Sequence, residues 1–596
     1  MKTLAIRRVV AATVVALMLG ACASGGTRSA GPEPAMFTFE RSSTHRDGDD
    51  LLTAGLGLAG LRAMTPPAFA DAAQPTAIEL RRRALWHNWR GIADLTPGGG
   101  YGELFGHLAM VPGREYAAYA RVPGATQPHR VLVQVPDAFD ASKRCVVVAA
   151  ASGSRGIYGA IAVAGAWGLP KGCAVAYTDK AAGTDYHDLA SHQGARIDGS
   201  LGTVGVDDDL AFVPDAAATA SGVAFKHAHS TDNAEADWGR QLRQAAEFAL
   251  HALDDARPME APFTFANTRV IAVGISNGGG AVLRAAEDDS DWLDAVVASE
   301  PNVSVDGDGA RTLFDYSTEA ALLMPCALLH LDGLPQPPLQ AQARPAWTQR
   351  CASLKAAGLV DGADASAQSA SAYRHMLDRG WTDASLRAGT LSVGFDLWRT
   401  TAATYASAYG RYRVGEHPCG FSFAAQAPDM TARAATAAER AAWWSDSSGI
   451  APGAGVALID AKIDAASADP AFAGLQCLRA LNDGNTVDAQ RVRNGIAALR
   501  ASPPRAGLPV IVIHGVDDGL IPMAFSSRPY VAQAKAAGRD VRYWQVRNAQ
   551  HFDAFLGLPD YAARYVPLLP YVYAALDRVA AHLDSGAPLP EMAPEI

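Results

Sequence analysis

The chain has 596 residues, 49% of them hydrophobic and 19% charged, with a net charge of −10. That length and apolar content allow several packed units, or one large core carrying an insertion. The negative balance, with no basic run beyond 81–83, argues against a nucleic-acid partner, because phosphate binding needs clustered Lys and Arg.

At the N-terminus, Lys2, Arg7 and Arg8 precede an apolar stretch, 9–19, that is too short for a stable membrane span. It ends in Leu19-Gly20-Ala21-Cys22, which is similar to a bacterial lipobox. Residues 1–21 therefore read as a lipoprotein-type signal peptide, with Cys22 diacylated as the first mature residue. At about 0.8 kcal/mol per buried CH₂, two or three acyl chains anchor stably. The alternative, an ordinary signal peptide cut after Ala21 or Ala23, exports the chain as well. The expected location is the outer membrane as a lipoprotein, or the periplasm or extracellular space, with membrane contact through the N-terminal lipid and no evident protein partner. Six cysteines remain: Cys145, Cys173, Cys326, Cys351, Cys419 and Cys477. In an oxidising compartment they can pair, with fifteen connectivities open. Sequence proximity favours Cys326–Cys351 and Cys419–Cys477. The absence of Cys-x-x-Cys leaves no sign of a zinc or redox motif.

Residues 22–70 are rich in Gly, Ser, Ala, Pro and Asp and are expected to form a flexible tether. A core, 71–302, follows. Its helix at 77–88 carries Arg81, Arg82 and Arg83, which read as a solvated face. Apolar runs at 115–122 and 130–135 suggest a hairpin. A buried strand at 145–151 leads into Ser152-Gly153-Ser154-Arg155-Gly156, then a helix at 157–167 and a strand at 173–177. Strand–helix alternation at this spacing predicts an α/β fold with a mostly parallel sheet. The stretch 178–232 is polar and irregular; Asp185, His187, Asp188, His192 and Asp207 to Asp209 are metal-ligating types without ligand spacing, so a solvated loop and no metal site are expected.

A helix at 233–253 leads to the most informative stretch. Val270 to Val273 form a β-branched strand, Gly274-Ile275-Ser276-Asn277-Gly278 a tight turn, and 281–286 a helix. Strand, glycine-flanked serine and helix are the parts of a nucleophile elbow. After a further strand at 293–299 the alternation stops. Residues 303–505 are Ala-rich and mainly helical in pattern, an insertion of about 200 residues that reads as a cap over the active site. It holds five of the eleven tryptophans, Trp347, Trp381, Trp398, Trp443 and Trp444, assigned to its own core with one or two left to line a substrate cleft. Strand–helix alternation resumes over 506–596.

A serine hydroxyl needs a base that is itself oriented and charge-compensated. In the α/β-hydrolase arrangement the order is Ser, acid, His, with acid and base on loops after late strands. The strand at 508–513 runs into His514-Gly515-Val516-Asp517-Asp518 with Pro522 beyond, similar to the His-Gly-x-x-Asp-x-x-x-Pro segment of esterases and peptidases of that fold. By that match Asp518 is the acid, with Asp517 the alternative and His514 structural. The strand at 541–546 leads to His551, the expected base. The oxyanion hole needs two backbone N–H donors: one from Asn277, the other from Ser154 or Arg155.

Several of these stretches together resemble the D-(-)-3-hydroxybutyrate oligomer hydrolases: Ala84-Leu85-Trp86-His87-Asn88-Trp89-Arg90, Gly99-Gly100-Tyr101-Gly102, Ser152 to Ile161, Ala176-Tyr177-Thr178-Asp179-Lys180 and Gly274 to Gly279. The resemblance spans 84–302, and the Asp518 and His551 segments fit the same plan. It implies a secreted serine esterase of the α/β-hydrolase fold, with Ser276 as nucleophile, short oligoesters as substrates and no cofactor. The lipobox and a length short for the family are departures from its pattern. Competing readings are a tannase- or feruloyl-esterase-like enzyme, a serine peptidase of prolyl oligopeptidase type, and a non-catalytic binding lipoprotein. No blade-length repeat favours the peptidase, and a complete triad in order disfavours the last.

Overall fold

The computed structural model describes residues 36–596 apart from 99, 218, 337–339, 429–430, 447–452 and 454. The signal segment and Cys22 lie outside the described residues. A nine-stranded sheet organises the body: β1 (Phe37–His45), β2 (Gly113–Ala120), β3 (His129–Pro136), β4 (Cys145–Ala150), β5 (Ala174–Thr178), β6 (Arg269–Ile275), β7 (Ala295–Ser299), β8 (Val510–Gly515) and β9 (Val541–Val546). Their spatial order is β1-β2-β3-β5-β4-β6-β7-β8-β9. The first three strands and the β3–β5 junction are antiparallel, and every pairing from β5 through β9 is parallel.

The parallel strands are continuous apolar runs because both faces are covered. On one face Val147, Ile271, Val273, Ile511 and Ile513 pack toward the C-terminal helix Leu569–Ser585. On the other, Val146, Val148, Val270, Val296 and Val512 meet helix α1 (Trp238–Ala256) and helix α2 (Asn277–Ala285). Each fully buried Val or Ile contributes about 1.5–3 kcal/mol, so this double-sided core fixes the sheet whose strand ends carry the site. A disulfide, Cys145–Cys173, staples the start of β4 to the residue before β5.

Three expectations are corrected. Residues 37–62 are not tether: β1 pairs along β2, and Leu51, Leu52 and Leu61 are fully buried in the main core, with the Trp89 indole donating to the Leu52 carbonyl at 2.8 Å. Five leucines among the Gly and Ala of 51–61 suffice for a docking segment. Arg81 is not on a solvated face; its guanidinium is buried and bidentate on Glu115, at 2.8 and 2.9 Å. The partner lies on β2, far along the chain, where helical periodicity does not reach. Nor is 178–232 a solvated loop, since it folds into a small antiparallel sheet of Tyr186–Asp188, Gln193–Ala195, Leu201–Thr203 and Val223–Phe225. There Asp185 is buried against Arg130 (2.9 Å) and Lys226 (3.1 Å).

The insertion leaves the sheet after β7 and returns before β8, and the Ala501 N–H donates to the Ser304 carbonyl at 2.7 Å where its two ends meet. It is mainly helical, Leu313–Ala327, Asp383–Gly394 and Leu397–Gly410 among its helices, and it also contains a three-stranded sheet of Phe421–Gln426, Ala432–Arg433 and Val456–Asp460. Both disulfides favoured by proximity, Cys326–Cys351 and Cys419–Cys477, lie inside it. Among the described residues no helix is long and apolar enough to cross a membrane.

Candidate active site

Ser276 sits between β6 and α2 with φ 57° and ψ −126°, a conformation that costs a non-glycine residue free energy and persists where its surroundings impose it. They do. The Ser276 N–H donates to the Ser299 carbonyl at 3.0 Å, and the Ser276 carbonyl accepts from Asn302 and Gly280, each at 3.0 Å. The flanking glycines are steric necessities: a Cβ on Gly274 would lie 2.2 Å from the Gly278 carbonyl oxygen, and one on Gly278 would lie 2.4 Å from that of Ala150. The strained turn lifts the hydroxyl above the carboxyl ends of the strands.

His551, just past β9, brings its Nε2 to 3.0 Å from the Ser276 hydroxyl. Its Nδ1 is 2.7 Å from Asp518 Oδ2. A carboxylate can only accept, so Nδ1–H donates to Asp518 and Nε2 is left to take the serine proton. Asp518, in the turn after β8, is fully buried and accepts from the Leu520 and Ile521 N–H groups, both at 2.8 Å. Burial raises its carboxyl, but the charge of His551 and hydrogen bonds from His514 and His551 outweigh that and hold it well below the usual carboxylate range. His514 lies 3.2 Å from Asp518 and 2.8 Å from the Ile521 carbonyl, and so shapes the acid turn. Asp517 is half-buried with its N–H on Ala549, and Asp518 is the residue that meets the imidazole. Two more carboxyls are buried nearby. Burial holds Glu300 well above its ordinary range and Asp553 at about 7, which leaves Asp518 as the depressed carboxyl facing the base.

The two candidate loops meet at Ser276. Asn277 opens α2, so its N–H has no intrahelical acceptor and lies at the positive end of the helix dipole. Its side-chain amide donates to the Tyr405 hydroxyl at 2.6 Å and accepts from Asn302 at 2.9 Å. In the loop after β4, the Arg155 N–H is turned back onto the Ser152 carbonyl at 3.3 Å. Among the described residues none accepts from the Ser154 N–H, so Ser154 is the better placed of the two candidates. Three contacts that the sequence did not reveal brace this loop and its partner: Ser154 Oγ to His227 Nδ1 at 2.8 Å, Lys180 Nζ to the Gly153 carbonyl at 2.5 Å, and Tyr405 on Asn277. Lys180 sits in a stretch already singled out, but nothing in the spacing placed it against Gly153.

Above these groups lies a cavity of about 180 Å³. Ser276, Asn277 and Ser154 form its polar end; Leu313, Leu391, Phe395, Leu397 and Tyr405 from the cap, with Phe552 and Phe555 from the core, form its walls. A cavity of ~150 Å³ holds a benzene-sized group, so a short acyl unit fits here. None of the five cap tryptophans lines it; all are buried elsewhere, and Phe395 and Tyr405 are the cap's aromatic contributions. Among the described residues no cluster of three or more His, Cys, Asp or Glu is placed to hold a metal.

A serine on the elbow after β6, an aspartate after β8 and a histidine after β9, at the carboxyl edge of this strand order, define a hydrolase of the α/β-hydrolase class. The sequence profile of the 3HB-oligomer hydrolases (3HBOH) matches residues 18–593, and the chain belongs to that family. It is 38% identical over 653 residues to the D-(-)-3-hydroxybutyrate oligomer hydrolase of Paracidovorax citrulli, an alignment covering 97% of this chain and 92% of that one. It is also 38% identical to the protein of the same name from Burkholderia mallei, with 96% and 90% covered. Among solved structures, it is similar to feruloyl esterase B from Aspergillus oryzae (12% identity, 81% and 85% covered, TM-score 0.32) and to the rice cell wall degrading esterase LipA from Xanthomonas oryzae (9%, 78% and 91%, 0.34). The protein is an enzyme of the carboxylic ester hydrolases.

Proposed function

We propose that this enzyme hydrolyses short oligomers of D-(-)-3-hydroxybutyrate to the monomer through an acyl-enzyme on Ser276. The observation that carries the reading is the continuous relay Ser276–His551–Asp518, at 3.0 and 2.7 Å, opening into an apolar cavity of about 180 Å³. His551 takes the Ser276 proton as the hydroxyl oxygen bonds to the ester carbonyl carbon. The resulting oxyanion accepts from the Asn277 and Ser154 N–H groups. The C–O bond then breaks, and His551 gives the proton to the departing alkoxide oxygen, which leaves as the hydroxyl of the next unit. Water, deprotonated by the same imidazole, releases the second product as a carboxylic acid. Asp518 stabilises the imidazolium throughout. The chain is further read as exported and lipid-anchored at Cys22, which supports action on oligomers outside the cytoplasm.

The test is turnover of hydroxybutyrate dimer and trimer beside p-nitrophenyl butyrate, a tannin ester and a peptide, with Ser276→Ala as control. Dimer and trimer cleavage with an inactive Ser276→Ala is the expected result. Preference for the tannin ester overturns the substrate, and peptide cleavage overturns the reaction class. Metabolic labelling with an alkyne fatty acid, lost in Cys22→Ala, tests the anchor.

A further inference from the structure

We propose that Lys180 is a positioning residue for this reaction, its ammonium holding the Gly153 carbonyl so that the Ser154 N–H of the same peptide faces Ser276. The inference rests on the reading that Ser154 supplies an oxyanion donor.

Gly153 C=O and Ser154 N–H belong to one trans peptide unit, in which the two bonds point in opposite directions; the sole cis bond among the described residues is Ala261-Pro262. Fixing the carbonyl on one side therefore fixes the N–H on the other. Lys180 Nζ donates to that carbonyl at 2.5 Å, and Ser154 lines the catalytic cavity beside Ser276. Gly153 is at φ 51°, and with no Cβ its backbone restricts the next peptide little, so contacts such as that of Lys180 orient it.

The lysine is built for one position. It is fully buried, itself at φ 50°, with its backbone N–H on Thr178 Oγ1 at 3.0 Å and its ammonium 5.7 Å from the Trp238 ring centre. A buried ammonium without a bonded carboxylate is costly, and Lys180 has its hydrogen bond to a carbonyl instead. Burial, aided by Arg155, brings it down to about 8 against the opposing pull of Asp179 and Glu235. A charge on the carbonyl side also polarises the peptide and strengthens the N–H as a donor. His227 holds the Ser154 hydroxyl from the side, at 2.8 Å, so the loop is fixed at two successive residues.

The experiment compares wild type with Lys180→Met, which keeps the length and removes donor and charge. Removing one oxyanion donor costs about 10²–10³ in kcat; Lys180→Met is expected to lose about 10² in kcat on p-nitrophenyl butyrate with KM within about threefold. The second readout is butane-1-boronic acid, which forms a tetrahedral adduct on Ser276. Labelling glycine carbonyls with ¹³C and serine amides with ¹⁵N selects two peptide units in this sequence, Gly153–Ser154 and Gly199–Ser200. In the wild type the Ser154 amide proton moves downfield on adduct formation, and in Lys180→Met that shift and the boronate affinity are lost together. A Ser154 amide that ignores the boronate in the wild type overturns the oxyanion reading, and the role of Lys180 with it. A shift and kcat that survive in Lys180→Met overturn the role of Lys180 alone. If Lys180→Met does not fold, Lys180→Leu, which also removes donor and charge, carries the same two readouts.

Discussion

The sheet core and the cap meet at one cavity and contribute to it differently. In the proposed mechanism the core supplies every group that handles a proton or a negative charge: the relay Ser276–His551–Asp518, joined by buried hydrogen bonds, and the N–H groups of Asn277 and Ser154. The cap supplies a mainly apolar wall, Leu313, Leu391, Phe395 and Leu397, with Ser392, Thr401 and Tyr405 beside them and no charged group. Fixed dipoles are worth most where water is excluded, so the apolar cap strengthens chemistry it does not perform. Reaction type and substrate choice are therefore separable by mutation.

The strongest way to break that division is Ser276→Ala, expected to lower kcat by about 10⁴–10⁶ with an unchanged melting temperature; a loss under tenfold on p-nitrophenyl butyrate would show the chemistry to lie elsewhere. Asp518→Asn follows, with a kcat loss of about 10⁴ at nearly constant KM, since the imidazole loses its compensating charge and its tautomer. Third, removing Cys419–Cys477 by paired Ala substitutions opens a loop of 58 residues and should destabilise the protein by about 4 kcal/mol in the chain-entropy account. Measured by urea unfolding, that loss should fall on the cap, leaving the core transition in place. Leu391→Ala is smaller: KM for trimer should rise about tenfold with kcat held, the mark of binding shared by ground and transition states.

The smallest effect probes the boundary itself. Glu235 in the core accepts from the Tyr409 hydroxyl of the cap at 2.9 Å, and burial raises its carboxyl to about 8, against the opposing effects of Tyr409, Lys180 and Arg284. A raised folded pKa means that the folded state holds a proton the unfolded chain releases above about 4.5, so stability falls as pH rises from there through 8. Glu235→Gln removes that titration. Its melting temperature should gain on the wild type steadily between pH 5 and 9, and equal slopes for the two proteins would remove Glu235 from the boundary.

The same division governs what could be read from sequence. The juxtaposition of Ser276, Asp518 and His551 was legible because each follows an apolar strand, and two of them sit among glycines or a proline at fixed offsets: Gly274 and Gly278 around Ser276, Gly515 and Pro522 around Asp518, with His551 placed only by the strand ending at Val546. These are local constraints. What was misread depends on partners distant in sequence. Arg81 looked solvated because its carboxylate is Glu115, and 37–62 looked like tether because its leucines gain meaning only against β2 and the main core. The cap wall was least legible, since Ala-rich helices show little preference for a face, and phenylalanine and leucine took the place expected of tryptophan. Lys180 stood inside a recognised stretch, yet its use follows from a backbone contact that no pattern of residue types encodes.

The crosslinks carry a last consequence. Cys145–Cys173 lies wholly in the core, and Cys326–Cys351 and Cys419–Cys477 wholly in the cap. No described disulfide crosses from one to the other, so the roof of the cavity is joined to its floor by the two chain passages near Ser304 and Ala501 and by noncovalent contacts. Each half can be oxidised and stiffened without locking the pair, and widening the mouth for an oligomer breaks no covalent bond. The enzyme is stapled on either side of its seam and left unsewn along it.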